Sequence, residues 1–241
     1  MSAAVDLRRR ETSALELMDD PECDDDALTK TYGHFALVNR VVSGWHAVYR
    51  RRIAPLARAS AVPLTILDIG SGGGDVARSL ATWAARDGHP VEVTAIDPDE
   101  RAFAYASALP PLPGVVFERT ASRDLVDAGR EFDLVVSNHV LHHLEPATLE
   151  GLLRDSEHLA RRLVIHNDIA RARLAYAAYA VATTGTFRGS FIHDDGLLSI
   201  RRSYTPRELR REAPEGWRVE SQWPFRVLLT FDAARRAVPS A

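Results

Sequence analysis

Apolar and polar residues follow two different rhythms along the middle of this chain. Short apolar runs that end in polar or glycine residues are typical of buried strands. They are Leu64–Ile69, Val91–Ile96, Val115–Glu118, Phe132–Ser137 and Leu163–Asn167. The segments between them space their apolar residues as helices do, near 74–87, 99–108, 122–129 and 145–160. This alternation predicts an α/β fold in which helices cover both faces of a parallel sheet.

Both ends of the alternating region depart from this rhythm. Before it, apolar residues recur at three- and four-residue steps, so residues 28–61 are predicted to form an N-terminal helical cap. After it, Arg218–Gln222 and Val227–Phe231 are two short runs separated by a turn, which predicts a hairpin. We therefore expect a Rossmann-like, seven-stranded, mostly parallel sheet that ends in an antiparallel hairpin.

The chain divides into three predicted parts. Residues 1–27 contain an acidic run and predict a flexible arm, and residues 28–61 are the helical cap. Residues 62–241 are predicted to form one ligand-binding domain, with an insertion at 168–204 that carries an apolar helix and a glycine-containing loop. We expect this insertion to act as a lid over an acceptor, with a turn at Asp194–Gly196.

The bulk composition excludes several classes of protein. With 30 basic and 33 acidic residues the net charge is −3, so no basic field favours nucleic acid. A single cysteine, no apolar leader and no apolar run long enough for a membrane span predict a soluble, cytoplasmic protein. The composition leaves the oligomeric state open between monomer and homodimer.

A glycine loop follows the first predicted strand. Gly70, Gly72 and Gly74 stand between Ile69 and the next helix. Glycine permits the tight turn and lets the backbone approach a ligand closely, and the helix N-terminus beyond it offers unpaired N–H groups. The loop therefore predicts a nucleotide-type ligand.

Acidic residues around the loop help to choose that ligand. Asp75 occupies the place of the last glycine in a pyrophosphate-binding G-x-G-x-x-G loop, where its charge would repel a pyrophosphate. Asp68 suits an ammonium group, and Asp97 at the end of the second strand suits ribose hydroxyls. A nucleoside with a cationic amino-acid tail is favoured, and a nicotinamide-dependent oxidoreductase is the disfavoured alternative.

These residues carry a family resemblance that spans about residues 62–232. Asp68–Gly74 resembles motif I of class I S-adenosylmethionine (SAM)-dependent methyltransferases, Ala95–Pro98 resembles their second-strand motif, and Phe132–Leu144 resembles their fourth-strand motif. The resemblance implies SAM as the cofactor. It also implies cofactor contacts from Asp68, Gly70, Ser71, Gly72, Asp97, Pro98, Asn138 and His139.

The resemblance is weaker at the adenine end of the cofactor site. The family usually carries an acidic residue after the third strand, where this chain has Ala121 or Ser122. Ser122 is expected to substitute for it, and Asp124 is the alternative.

A second resemblance concerns the methyl acceptor. Phe35–His46 is similar to the N-terminal helical segment of ubiquinone and menaquinone biosynthesis methyltransferases. This implies an apolar small molecule in biosynthesis or secondary metabolism, such as a phenol, a quinone or a polyketide, methylated at oxygen or carbon. Residues predicted to contact the acceptor are Asn39 in the cap, Tyr176 in the lid, and Arg188 and Arg201 beside the lid loop.

Histidines after the fourth strand supply candidate catalytic groups. Methyl transfer is an in-line displacement, so the protein must align acceptor and methyl and remove a proton from a hydroxyl acceptor. The resemblance of Val140-Leu141-His142 to phenol O-methyltransferases implies His142 as the general base, with His143 second and packing roles as the alternative. Without a His-Glu-x-x-His motif or a cysteine cluster, no metal is predicted. A non-catalytic scaffold of the same fold is a third hypothesis.

Overall fold

The computed structural model describes residues 5–236 of the chain. An N-terminal segment (residues 5–24) contains a short 3-10 turn at Leu17–Asp19. The helical cap follows as α1 Asp25–Val42, α2 Trp45–Val48, a π-helical stretch Tyr49–Ile53 and α3 Ala54–Arg58. Gly44 breaks the cap with a left-handed φ of 69°, which is why α1 and α2 are separate helices.

Within the described residues, seven strands form one sheet in the order β3-β2-β1-β4-β5-β7-β6. The strands are β1 Leu64–Ile69, β2 Val91–Ile96, β3 Val115–Glu118, β4 Phe132–Asn138, β5 Ala160–Ile169, β6 Trp217–Gln222 and β7 Arg226–Asp232. The first five pair in parallel, and β7 runs antiparallel to β5 and to β6. The predicted Rossmann-like sheet with its terminal hairpin is confirmed.

Helices fill the connections between the strands. They are α4 Asp75–Arg86, α5 Glu100–Ala108, α6 Ser122–Asp127, α7 Pro146–Leu159, α8 Arg173–Thr183, α9 Ile192–Arg202, α10 Pro206–Glu212 and α11 Ala233–Arg236. In residues 5–236 no helix is both long enough and apolar enough to cross a lipid bilayer.

The core divides between the two faces of the sheet. Successive residues of a strand point to opposite faces, so Ile66 and Leu134 pack in one apolar cluster while Leu67 and Val135 pack in the other. All four side chains are fully buried, and each contributes about 1.5–3 kcal/mol by the hydrophobic effect. The continuous apolar runs in the sequence follow from this two-sided burial.

The central strands β1 and β4 are neighbours, and the strand order reverses between them. In an open α/β sheet, ligands bind outside the carboxyl ends of the strands at such a reversal. The loops after the two strands touch, since a Cβ added at Gly70 would lie 2.7 Å from Val140 Cγ2. The topology therefore brings the glycine loop beside the histidines that follow β4.

The lid consists of two helices that pack on each other. Tyr179 of α8 donates its hydroxyl to the carbonyl of Ile192 at 2.7 Å, and its ring lies against Gly196 of α9. A Cβ at Gly196 would stand 2.2 Å from the Tyr179 hydroxyl oxygen. The expected turn at Asp194–Gly196 was wrong, because this glycine provides a packing surface within α9 rather than a bend.

The N-terminal segment differs from the expected flexible arm. Arg10 donates Nε to the carbonyl of Arg202 at 2.6 Å, and Asp195 accepts the backbone N–H groups of Leu17 and Met18 at 2.7 and 3.0 Å. These contacts dock the segment on α9. Its acidic composition alone indicates a solvated arm. Composition does not show the partners that hold the segment, because they lie far away in the sequence.

The glycine at the start of α4 provides a test of how closely this turn packs against β3. Gly74 has a φ of +76°, and an added Cβ would lie 2.4 Å from Phe117 Cε1. We expect Gly74→Ala to lower the free energy of unfolding by about 2–4 kcal/mol, combining left-handed strain with overpacking. Gly88→Ala is the matched control, because Gly88 has a φ of +75° and nothing within 4 Å. Urea denaturation measures both; equal losses would show that the Phe117 contact costs nothing.

Candidate active site

A cavity of about 1190 Å³ opens at the carboxyl edge of the sheet. The loops after β1, β2 and β4 line it, together with α1, the lid and the N-terminal segment. Every predicted cofactor-binding residue and both predicted catalytic histidines border this one cavity. The fold therefore collects side chains from widely separated parts of the chain around a common space.

The glycine loop is tied to the end of β2. Gly70 and Gly72 have left-handed φ values of 66° and 52°. Ser71 donates its N–H to the carbonyl of Ile96 at 3.0 Å, and Gly72 donates its N–H to Asp97 Oδ2 at 2.8 Å. The loop is consequently held open along the cavity wall, beside Pro98.

Buried acids cluster at this end of the cavity. Asp68 is 1% exposed, and its carboxylate oxygens make no hydrogen bond of ordinary geometry within the described residues, where the backbone N–H of Ala77 is their nearest donor. Burial, and then the charges of Asp75 and Asp97, raise the pKa of Asp68 well above its usual range. Burial also raises the pKa of Asp75 to about 6, although Asn39 Nδ2 donates to it at 3.0 Å. A buried carboxylate without a partner fits a cationic group such as the ammonium of SAM.

Asn39 therefore occupies a different place from the one expected. It borders the cavity, as an acceptor-binding residue would, but its side-chain amide is engaged with Asp75 at the start of α4. In the structure it supports the glycine-loop end of the site.

The part of the cavity beside Ser122, where the sequence predicts adenine, contains an acid that sequence reasoning missed. Ser122 donates its hydroxyl to Asp155 Oδ2 at 2.8 Å, and both residues border the cavity. Asp124 instead accepts from the N–H of Ala121 and the hydroxyl of Thr120, so it caps α6. Asp155 lies on α7, beyond the region where the family places its acid, and no local motif marks it.

A buried arginine organises the ends of β4 and β5. Arg226 is 2% exposed and donates to Asn138 Oδ1 at 3.0 Å, to Asn167 Oδ1 at 2.9 Å and to His139 Nε2 at 3.1 Å. Burial lowers the pKa of Arg226 to about 10. Burial and the arginine charge hold the pKa of His139 well below its usual range, so His139 is a neutral hydrogen-bond acceptor. The sequence gives Arg226 no signal beyond its place at the start of a strand.

His142 lies between two carboxylates. Its ring is 1% exposed, with Nδ1 at 2.7 Å from Asp168 Oδ1 and Nε2 at 3.4 Å from Glu16 Oε1. Burial favours the neutral ring, but Asp168 and Glu16 outweigh it and raise the pKa of His142 to about 9. The two carboxylates therefore make the imidazole a stronger base than a free histidine side chain.

His143 contacts the same N-terminal segment. Its Nδ1 lies 3.1 Å from Asp19 Oδ2 and its Nε2 lies 3.9 Å from Glu16 Oε2. Glu16 is 3% exposed and also accepts the hydroxyl of Ser199 at 2.9 Å. Sequence reasoning missed Glu16, because it belongs to a stretch whose composition predicts a solvated arm.

The other predicted acceptor-binding residues do not border the cavity. Arg201 pairs with Glu11 through Nη2 and Oε2 at 2.9 Å, Arg188 is exposed, and Tyr176 lies on a different face of α8. The residues of α8 that do border the cavity are Ala175, Ala178, Tyr179 and Ala182. Their spacing of three and four residues places them on one face of the helix. Tyr176, which follows Ala175 directly, lies on another face.

The fold and the site together define a class I SAM-dependent methyltransferase domain. The strand order, the glycine loop and the acids at the ends of β1 and β2 all belong to this definition. A family model described as a methyltransferase domain matches residues 66–162, which are therefore a methyltransferase domain. The class predicted from Asp68–Gly74 and Asp97 is confirmed.

Comparisons with known proteins agree with this assignment. A ubiquinone biosynthesis O-methyltransferase of Rhizobium leguminosarum bv. trifolii (strain WSM2304) is 35% identical over 83 residues, which are 34% of this chain and 31% of the relative. The chain thus matches about a third of that relative's length. The plantazolicin methyltransferase BpumL in complex with SAH has a similar fold, with a TM-score of 0.52 at 15% identity, covering 86% of this chain and 94% of that one.

Proposed function

We propose that this protein transfers a methyl group from SAM to the oxygen or carbon of an apolar small molecule such as a phenol, a quinone or a polyketide. The observation that carries the proposal is the buried Asp68 carboxyl group, whose oxygens make no hydrogen bond of ordinary geometry within the described residues and which borders the cavity together with the glycine loop. A cationic or hydrogen-bond-donating ligand would compensate such a group and stabilise its ionised form, which burial otherwise disfavours.

The cofactor end of the cavity matches the parts of SAM in order. SAM supplies an electrophilic methyl group on its sulfonium. Asp68 would accept hydrogen bonds from the ammonium group, and Asp97 would accept them from the ribose hydroxyls. Ser122, backed by Asp155 at 2.8 Å, would contact the adenine amino group. Asn138 and His139 would border the sulfur end, held in place by Arg226.

The acceptor end of the cavity is mostly apolar. Its walls come from α1, from the lid and from the turn between β6 and β7, with side chains Phe35, Val38, Val42, Ala178, Ala182, Ile192 and Phe225. Such walls would hold an apolar ring or chain and exclude water from the reacting atoms. The name of the ubiquinone biosynthesis relative supports an acceptor of this class.

The polar part of the acceptor end is formed by His142, His143 and Glu16. We assign the two histidines to bind the acceptor's hydroxyl or enol and to favour its ionised form, with Glu16 holding both rings in place, because an oxyanion attacks a methyl group more readily than a neutral hydroxyl. The lid and the N-terminal segment would then hold the acceptor in line with the methyl group.

Calorimetric titration combined with a turnover assay tests the proposal. We expect SAM and its product S-adenosylhomocysteine to bind and NAD not to bind, because Asp75 and Asp68 repel a pyrophosphate. A panel of phenols, hydroquinones and polyketide-type enols, followed by mass spectrometry, should yield methylated product. Binding of NAD without SAM would contradict the proposal; SAM binding without turnover on any acceptor would favour a scaffold that acts through a partner.

A further inference from the structure

Three ligand-type side chains converge on one point of the cavity wall. A carboxylate oxygen of Glu16 and a nitrogen each of His142 and His143 lie within 4.8 Å of one another. Two of the side chains come from the turn after β4, and the third comes from the N-terminal segment. We call these three residues the Glu16–His142–His143 cluster.

Both histidines are oriented in the way that metal-binding histidines are. Asp168 contacts Nδ1 of His142 at 2.7 Å, and Asp19 contacts Nδ1 of His143 at 3.1 Å. In each ring Nδ1 is engaged by a carboxylate, and Nε2 is directed towards Glu16. A carboxylate behind one ring nitrogen fixes the tautomer and leaves the other nitrogen's lone pair for a metal ion.

Nε2 of His142 has no hydrogen bond. The atom is fully buried, and its contact with Glu16 Oε1 at 3.4 Å does not meet hydrogen-bond geometry. Nitrogen and oxygen ligands at about 2.0–2.2 Å from a tetrahedral zinc ion lie about 3.3–3.5 Å from each other. The observed separation therefore equals that of two ligands of one ion, as well as that of an ion pair.

A second group of candidate ligands does not offer the same opportunity. His139, His142 and Asp168 also lie close together. There, however, His139 Nε2 already accepts from Arg226, and Asp168 is bonded to His142 through the ring nitrogen and the backbone N–H. These atoms are satisfied by the protein itself, whereas Nε2 of His142 has no partner of hydrogen-bond geometry among the described residues.

The surroundings of the cluster suit a cation. Glu16, Asp19 and Asp168 bring three carboxylates against the two imidazoles. The nearby guanidinium of Arg202 is turned to backbone carbonyls, including those of Ala14 and His143. The side chain of His143 is 28% exposed and the cluster borders the cavity, so an ion can enter.

We propose that Glu16, His142 and His143 bind a divalent transition-metal ion of the Zn²⁺ type. Two imidazoles and one carboxylate are a ligand set that such ions accept, and because the cluster borders the cavity, an acceptor's oxygen would supply the remaining ligand. The role of the ion rests on the proposed function: it binds the acceptor's oxygen and lowers its pKa, so that the hydroxyl proton leaves to solvent and the oxyanion attacks the methyl group. Binding of the ion itself does not depend on methyl transfer.

The test uses the full chain without a polyhistidine tag, stripped of metal by a chelator. Zn²⁺ is titrated by calorimetry, and Co²⁺ is followed by its visible absorption. We expect one ion per chain. Glu16→Gln and His143→Ala should each weaken binding by more than about 100-fold, and Asp19→Asn by about 10–100-fold through loss of the group behind His143. His89→Ala is the matched control and should bind normally, because His89 precedes β2 at the opposite edge of the sheet.

Circular dichroism establishes that each variant is folded before its affinity is interpreted. Absence of Zn²⁺ and Co²⁺ binding in the unmodified chain would overturn the proposal, and so would equal affinity in Glu16→Gln, His143→Ala and the control, which indicates an adventitious ion only. If neither ion binds the unmodified chain, a proton shared by Glu16 and the histidines takes the place of the proposed metal ion. SAM titration of the stripped protein separates the two proposals, since Asp68 and Asp97 lie outside the cluster and should bind SAM without the metal.

Discussion

Asp97→Ala is expected to weaken SAM binding by at least about 100-fold. The carboxylate accepts the N–H of Gly72 at 2.8 Å and the N–H of Asp99 at 3.0 Å, and it would accept ribose hydroxyls as well. Hydrogen bonds to a charged group contribute about 1.5–3 kcal/mol each, so losing the ribose contacts and the support of the loop accounts for the effect. Calorimetric titration measures the affinity. Asp97→Asn keeps an oxygen that accepts one N–H group, so its SAM affinity should lie between those of the unmodified protein and Asp97→Ala.

Gly72→Val should give a similar loss of SAM binding for a different reason. Gly72 has a φ of +52°, and an added Cβ meets no protein atom within 4 Å, so the cost is backbone strain and obstruction of the ligand. Gly129→Val is the matched control, since Gly129 has a φ of +65°, has equally open surroundings and lies outside the cavity. It should lose stability and keep SAM affinity. Unchanged affinity in both Asp97→Ala and Gly72→Val would remove the cofactor assignment.

Arg226→Met is expected to lower the free energy of unfolding by about 3–5 kcal/mol. Methionine retains most of the volume but leaves Asn138, Asn167 and His139 without their shared donor in a buried site. A loss of this size is a large fraction of the stability of a typical domain. Urea denaturation monitored by tryptophan fluorescence measures it.

Arg218→Met on the neighbouring strand β6 is the control for the arginine substitution. Arg218 is exposed, so its replacement should change stability by less than about 0.5 kcal/mol. If Arg226→Met were as stable as this control, the guanidinium network would have no structural role. SAM affinity of the surviving folded Arg226→Met protein reports whether the ends of β4 and β5 also position the cofactor.

Much of the fold follows from local sequence. The runs Leu64–Ile69 and Val91–Ile96 are strands at the same residues in the structure, because burial on both faces demands uninterrupted apolar side chains. The turn after β1 has a left-handed φ at three positions, which favours glycine there. The sequence shows these glycines directly, as Gly70, Gly72 and Gly74. Short-range patterns of this kind carry their own structural meaning.

The lid shows where local patterns end. Its apolar helix was predictable, but the residue that faces the cavity is Tyr179 rather than Tyr176. The helix is apolar on several faces, so periodicity does not choose the buried one. The contact of Tyr179 with Gly196 of α9 makes that choice.

By itself, the sequence determined the α/β class, the glycine loop, and the places of Asp68 and Asp97 near the ends of the first two strands, because strand pattern and motif spacing are local properties. Only the tertiary structure decided that Glu16 reaches His142, that Asp155 stands behind Ser122 and that Arg226 joins β4 to β5. Each of these contacts joins residues far apart in the chain, and such contacts depend on how the elements pack, which no single segment of the sequence encodes.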